Sequence, residues 1–220
     1  MSHIKLVSVL VNLPVMAAAL YAWYVYKRLP PAIQMFTAYI FLTALIQVPY
    51  TMLGFNAKNN LFLLHLHVLL GFIVLSLFYR MVLKKFVNPF IIIVIVLSFT
   101  VFTILNSLFF QPYHTAINSY ALTTQSVLVV IFSLSTFIVL LNNVAKETQK
   151  DSITSLHWIN SGLFIYYASN LLIFYFSNFI LRSYSSRINL YAWLGNCFFL
   201  TVMYIFFIVG LWKNQRTSNS

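Results

Sequence analysis

The run LLHLHVLLGF, Leu63 to Phe72, sets two histidines in an apolar stretch. An imidazole taken out of water costs free energy unless a partner satisfies it. His65 and His67 are therefore either packed polar residues or ligands. On a regular helix residues two apart point about 200° away from each other, so the pair cannot hold one ion together. His65 shares a face with Phe72, Ser76 and Tyr79, and that face is expected to turn inward. His3 and His114, the latter in QPYHTAIN, fall on the same side of the chain as His65 and His67. A metal ion bound by His3, His65, His67 and His114 is one chemistry this pattern suggests, since imidazole suits copper and nickel. No carboxylate or thiolate accompanies the four. Structural histidines are the competing reading. His157 lies at the opposite end of the molecule and cannot join them.

A second set of polar residues recurs at helical spacing. Tyr39, Thr43, Gln47 and Tyr50 fall within about 80° of arc, as do Asn160, Tyr167, Asn170 and Asn178. Asn189, Trp193, Asn196 and Met203 line a third face. Amides facing lipid would be unsatisfied, so these faces should point inward. They read either as hydrogen-bonded glue between helices or as the wall of a polar, aromatic pocket for a small, partly apolar ligand. The pocket residues expected on that second reading are Tyr39, Thr43, Gln47, His65, Tyr167, Asn170 and Asn196. Only two acids occur in the chain, Glu147 and Asp151, both in a loop. This argues against a proton or sodium pump, which relays charge through intramembrane acids, and against paired-carboxylate hydrolysis. No nucleophile–base pair stands out, so the reading is non-enzymatic. No cofactor is expected apart from the ion at the histidines.

These side chains need elements to hold them. The chain has 220 residues, 61% hydrophobic and 7% charged, where a soluble domain carries about a quarter charged residues. Lipid must be its solvent. Seven runs are long enough to span hydrocarbon as helices, at roughly 5–26, 33–53, 61–83, 89–110, 120–142, 157–179 and 188–212. The expectation is an all-α polytopic membrane protein, one seven-helix domain over residues 1–220 with a polar tail at 213–220. Sequential packing of the helices is the default. Turn residues mark the connections at Pro30-Pro31, Gly54-Phe55-Asn56, Asn88-Pro89 and Gln111-Pro112.

Nine basic residues fall on one side: Lys27, Arg28, Arg80, Lys84, Lys85, Lys146, Lys150, Lys213 and Arg216. Four fall on the other: Lys5, Lys58, Arg182 and Arg187. Basic loops stay in the cytoplasm, which predicts the amino terminus outside and the carboxyl terminus inside. Arg80, at the end of the third run, reads as an interfacial arginine. The net charge of +11 is spread between apolar runs rather than gathered on a polar face, so nucleic acid is not an expected partner. Lys27-Arg28 follow the first apolar run instead of preceding it, which makes that run a retained helix rather than a cleaved leader. The single cysteine, Cys197, excludes an intramolecular disulfide.

Seven helices with the amino terminus outside also describe sugar facilitators of the SWEET type, built from two three-helix repeats with paired prolines. Pro14 and Pro49 lie in the first two runs, but the fifth and sixth contain none. A closer resemblance runs along much of the chain: Lys27-Arg28-Leu29-Pro30, Asn59-Asn60-Leu61, His65 with Phe72 and Tyr79, Trp158-Ile159-Asn160-Ser161, Tyr166, Ser169-Asn170, Ser177-Asn178 and Gly210-Leu211-Trp212. With these residues the chain resembles small, uncharacterised seven-helix inner-membrane proteins of bacteria, which look like free-standing versions of the membrane sensor domain of some histidine kinases. Proteins of that type carry an acid one residue before the helix 3 phenylalanine; here Gly71 stands there. The resemblance implies the bacterial cytoplasmic membrane, a sensing role and no reaction. The partners expected are the bilayer, a small ligand, and a membrane or cytoplasmic signalling protein. A solute facilitator and a structural subunit of a larger membrane complex are the alternatives.

Overall fold

The computed structural model describes residues 3–56, 58–144 and 150–217, with the side chains of residues 3–6, 8, 143, 144, 150–152, 186 and 215–217 outside that description. Among the described residues seven α-helices follow in order: α1 (His3–Val25), α2 (Pro31–Phe55), α3 (Leu61–Leu83), α4 (Pro89–Leu105), α5 (Ser119–Val144), α6 (Lys150–Ser183) and α7 (Ser186–Thr217). A 3-10 turn, Tyr26–Arg28, follows α1, and a π-helical segment, Asn106–Phe110, continues α4. Seven helices are long and apolar enough to cross a membrane, which makes this the architecture of an integral membrane protein.

Local chemistry sets the helix starts. Pro31 and Pro89 occupy the first turn, where a missing N–H costs nothing. Asn88 Oδ1 accepts from Phe90 N at 3.0 Å ahead of α4, and Asn59 Oδ1 accepts from Leu61 N at 2.9 Å ahead of α3. The last two helices run longer than the apolar spans alone predict. α6 begins at Lys150 instead of residue 157, and α7 continues to Thr217 instead of 212. No proline or glycine interrupts either polar extension, so the helix carries on past the apolar window.

Packing departs from sequence order at one place. α1 packs on α2 and α7, α2 on α3, α5 on α6, and α6 on α7. α3 packs directly on α5, and α4 lies beside that pair, touching α3 and α5. α4 is accordingly given over largely to the outside: Phe90, Ile91, Val94, Leu97 and Val101 are all exposed, while Ile92, Phe99 and Thr103 make its narrow buried stripe. α6 and α7 are the closest pair. A Cβ on Gly162 would come within 2.8 Å of Phe206 Cβ, and one on Gly210 within 2.8 Å of Ile159 Cγ1. Ser155 Oγ donates to the Gly210 carbonyl at 2.7 Å across the same seam. Small residues that let backbones approach are a general device for joining helices in lipid.

The amino terminus of α1 and the α2–α3, α4–α5 and α6–α7 connections share one end of the bundle, here the amino-terminal end. Asn59 Nδ2 donates to the His114 carbonyl there, tying two of those connections together at 2.6 Å. Glu147 and the 218–220 end of the polar tail lie outside the described residues, and so do the side chains of His3, Lys5, Lys146, Lys150, Asp151 and Arg216.

Candidate functional site: a tyrosine-lined polar interior

The inner faces of α2, α3, α5, α6 and α7 meet around Tyr39. Its ring is buried, as are Tyr167, Tyr204, Phe36 and Phe207. Phe207 lies edge-on to Phe36, Tyr39 and Tyr204, with centroids 4.7, 6.5 and 5.2 Å apart. Aromatic edges and faces pack this way because of their quadrupoles. Each phenol brings one hydroxyl into this apolar shell, and a buried hydroxyl needs a partner. The Tyr39 and Tyr167 hydroxyls meet at 3.4 Å, and Gln125 Nε2 donates to the Tyr167 hydroxyl at 3.2 Å. Thr43 Oγ1 donates to the Tyr39 carbonyl at 2.9 Å, which uses its one proton. The 3.1 Å contact between Thr43 Oγ1 and His67 Nε2 must then run from an N–H on the ring.

Gly71 stands at the middle of this group. A Cβ there would lie 3.5 Å from Tyr39 Cε2, 3.9 Å from Gln125 Nε2 and 3.9 Å from His67 Nε2. These are ordinary contact distances, so the missing side chain leaves a small space faced by an aromatic edge, an amide donor and an imidazole donor. Three residues beyond Tyr167 on α6, Asn170 is fully buried; its Nδ2 donates to the Tyr166 carbonyl at 2.9 Å, while its Oδ1 has no partner. The Tyr204 hydroxyl is likewise buried; it faces Thr43 but makes no well-formed hydrogen bond. Tyr166 donates to Asn196 Oδ1 at 3.2 Å, carrying the polar path from α6 to α7. Gln47 is half-buried further toward the amino-terminal end, where its carbonyl accepts from Thr51 Oγ1 at 2.9 Å and Asn12 Nδ2 donates to the same hydroxyl at 3.0 Å.

No family model, curated protein or solved structure matches the chain.

Of the seven expected pocket residues, Gln47 stands on α2 further toward the amino-terminal end, and Tyr39, Thr43, Tyr167, Asn170 and Asn196 are tied into one group by these contacts. His65 does not belong to it. Its Nε2 lies 3.1 Å from the Ala116 carbonyl and its Nδ1 2.7 Å from Ser107 Oγ. A carbonyl only accepts, so in the neutral ring Nε2 carries the proton and Nδ1 takes the serine hydroxyl's. Both nitrogens are used, and both face the α4–α5 side. His65 opens a separate network: Asn118 Nδ2 donates to Ser107 Oγ at 3.3 Å, and Asn106 Nδ2 donates to Asn118 Oδ1 at 2.6 Å and to Gln111 Oε1 at 3.0 Å. Gln111 Nε2 continues to Ser119 Oγ at 2.6 Å. Asn178 of α6 clasps the Ile117 backbone from both sides, at 3.0 and 2.7 Å. This network fastens the α4–α5 connection to α3 and α6.

The histidines diverge as helix geometry demands. His67 turns to Thr43 on α2, and His65 to Ser107 and Ala116. The His114 ring stacks edge-on against Tyr113, 5.0 Å between centroids, and the His3 side chain is outside the described residues. Among the described residues no three His, Cys, Asp or Glu side chains come together. Sequence reasoning missed Gln125, Tyr204 and the role of Gly71's space. The amide of Gln125, deep in the apolar run of α5, was a usable signal; Tyr204 was one of 14 tyrosines and carried none.

Proposed function

We propose that the chain is a non-enzymatic, receptor-like membrane module that binds a small neutral ligand among Tyr39, Gly71, Gln125, Tyr167, Asn170 and Tyr204. The amino terminus faces outside and the carboxyl terminus inside, in a bacterial cytoplasmic membrane, with the nine basic residues holding the inner side. One observation carries the reading: two fully buried polar atoms of this tyrosine-lined group, Asn170 Oδ1 and the Tyr204 hydroxyl, make no well-formed hydrogen bond. An unpaired buried acceptor costs on the order of 1–3 kcal/mol. A ligand that donates to Asn170 and exchanges a hydrogen bond with Tyr204 recovers that cost. Its neutrality follows from the lining, which offers hydroxyls, amides and an imidazole but no carboxylate, lysine or arginine. The resemblance to the sensor domain of histidine kinases supports signalling, and any signal must pass to another protein through the inner connections.

Native mass spectrometry of the gently solubilised chain tests this. A small organic mass should persist on the wild type and disappear from Gly71→Leu, which fills the space beside Tyr39. A bare wild-type monomer, or a mass that survives the substitution, would overturn the reading. A retained metal ion would return attention to the histidines, and a retained protein would favour a subunit role. Pro14 and Pro49, inside α1 and α2, favour a second reading, a facilitator for a small neutral solute in which those helices bend. Solute uptake into proteoliposomes separates it from the first.

A further inference from the structure

A second site lies away from the tyrosine interior, at the amino-terminal end of the bundle between α5 and α6. It is a cavity of about 300 Å³. Its floor is polar: Gln111, Ser119 and Asn178. Its walls are aromatic: Tyr120, Tyr175 and Phe179, each 50–54% exposed. The floor is a satisfied surface, because Gln111 donates to Ser119, Asn178 donates to Ser119 at 3.0 Å, and Tyr120 N donates to Gln111 Oε1 at 3.1 Å. An occupant therefore gains little from the floor and much from the walls. The cavity also has a fixed depth. Ser119 opens the α5 span, and Asn178 lies five residues before Ser183 closes the α6 span. That is the level of lipid headgroups and their glycerol linkages.

Charge completes the site. Arg182 is exposed, and it follows Asn178 by four residues and Tyr175 by seven, so it continues the same face of α6 toward the water. Among the described residues no ion pair engages it. The aromatic surface runs on beside it: Phe179 packs at a tilt against Phe176 of the cavity wall and edge-on to Tyr184, with centroids 6.4 and 5.6 Å apart. A cation above an aromatic-walled groove at the membrane boundary matches a molecule with an anion at one end and a hydrocarbon chain at the other.

We infer that the α5–α6 groove is a phospholipid site. The phosphate pairs with the Arg182 guanidinium, the glycerol and ester region lies over Gln111, Ser119 and Asn178, and one acyl chain descends against Tyr175 and Phe179. The floor residues are those that clasp the α4–α5 connection to α6, so the lipid also steadies that clasp.

The test uses the full chain, delipidated in dodecyl maltoside and returned to phosphatidylglycerol, to diacylglycerol, or to inorganic phosphate alone, with bound mass read by native mass spectrometry and Tm by scanning fluorimetry. The wild type should retain one phosphatidylglycerol, with occupancy roughly tenfold above diacylglycerol, the effect of one charge-assisted phosphate contact. Arg182→Gln should keep its fold and bind phosphatidylglycerol no better than diacylglycerol. Phe179→Ser should lose both lipids. Equal retention of the two lipids by the wild type, or an undiminished preference in Arg182→Gln, would overturn the site. Stabilisation by inorganic phosphate alone, matching the lipid, would replace it with a free-anion site and overturn the lipid assignment.

Discussion

His65 and Gly71 lie six residues apart on α3 and do opposite things. His65 joins three elements through two hydrogen bonds, so His65→Ala strands the buried Ala116 carbonyl and leaves the half-buried Ser107 hydroxyl with Asn118 alone. That should cost about 2–4 kcal/mol and appear as a lowered Tm, with Gln a partial substitute because its amide can reach one partner. Unchanged stability in the alanine variant would show that the network contributes nothing. Gly71 behaves the other way. Its absent Cβ would meet only ordinary contacts, the nearest at 3.5 Å, and glycine inside a helix is about 0.5–1 kcal/mol worse than alanine. Gly71→Ala should therefore raise Tm slightly, a gain left unused because the space serves the site. A drop in Tm would mean the interior is already full. Much at this scale was readable beforehand. Helix geometry alone separated His65 from His67, and an apolar run predicted that each would need its own partner. The identity of those partners was not readable, since Ser107 and Ala116 are 42 and 51 residues away in the chain and reach His65 only because a π-helical turn and a loop fold back over α3.

The stripes of polar residues on single helices are real, but an element does not equal a site. On α6, Asn160, Tyr167, Asn170 and Asn178 share one face, as their spacing predicts, and they serve three separate networks at three depths. Asn178 clasps the α4–α5 connection, and Tyr167 and Asn170 face the tyrosine interior. Asn160 closes a triangle at the other end: Tyr79 donates to Asn160 Oδ1 at 3.1 Å, Asn160 Nδ2 donates to the Ser133 carbonyl at 3.0 Å, and Ser133 Oγ lies 2.8 Å from the Tyr79 hydroxyl. Periodicity reports which way a residue faces and is silent on which helix it faces, so the arrangement around Tyr39 left out α5 and Gln125. Glycine gave a further element-scale signal in Gly162 and Gly210, both on the α6–α7 seam. Gly162→Ala places a carbon 2.8 Å from Phe206 Cβ and 3.1 Å from the Met203 carbonyl, so the helices must part. A loss of about 1–3 kcal/mol is expected, larger with leucine, and read as a lowered unfolding midpoint. Gly195→Ala is the control, since its nearest neighbour would be Ile173 Cδ1 at 3.7 Å; equal losses at the two positions would show that the seam is not specially tight.

For the whole molecule, the one property that decides everything downstream is which end faces out. In the proposed topology seven crossings put the two termini on opposite sides, so a single asymmetry orients the chain, and the thirteen basic residues would supply it with nine against four. Lysine and arginine in short connections are retained on the cytoplasmic side, so an excess of five is a strong bias. Cys197 is the only cysteine and is buried, which makes a test clean. In a Cys197→Ser background, cysteine placed at Ser185, in the α6–α7 connection, should react in intact cells with a membrane-impermeant maleimide. Cysteine placed at Lys84, after α3, should react only once the membrane is opened. The reverse pattern would invert the molecule, turning the end nearest Gln47 toward the cytoplasm and the phospholipid groove into the inner leaflet. The expected pattern turns that end to solutes outside the cell and leaves the end bearing Arg80, Lys84 and Lys85 to meet a partner inside, the geometry a receptor requires.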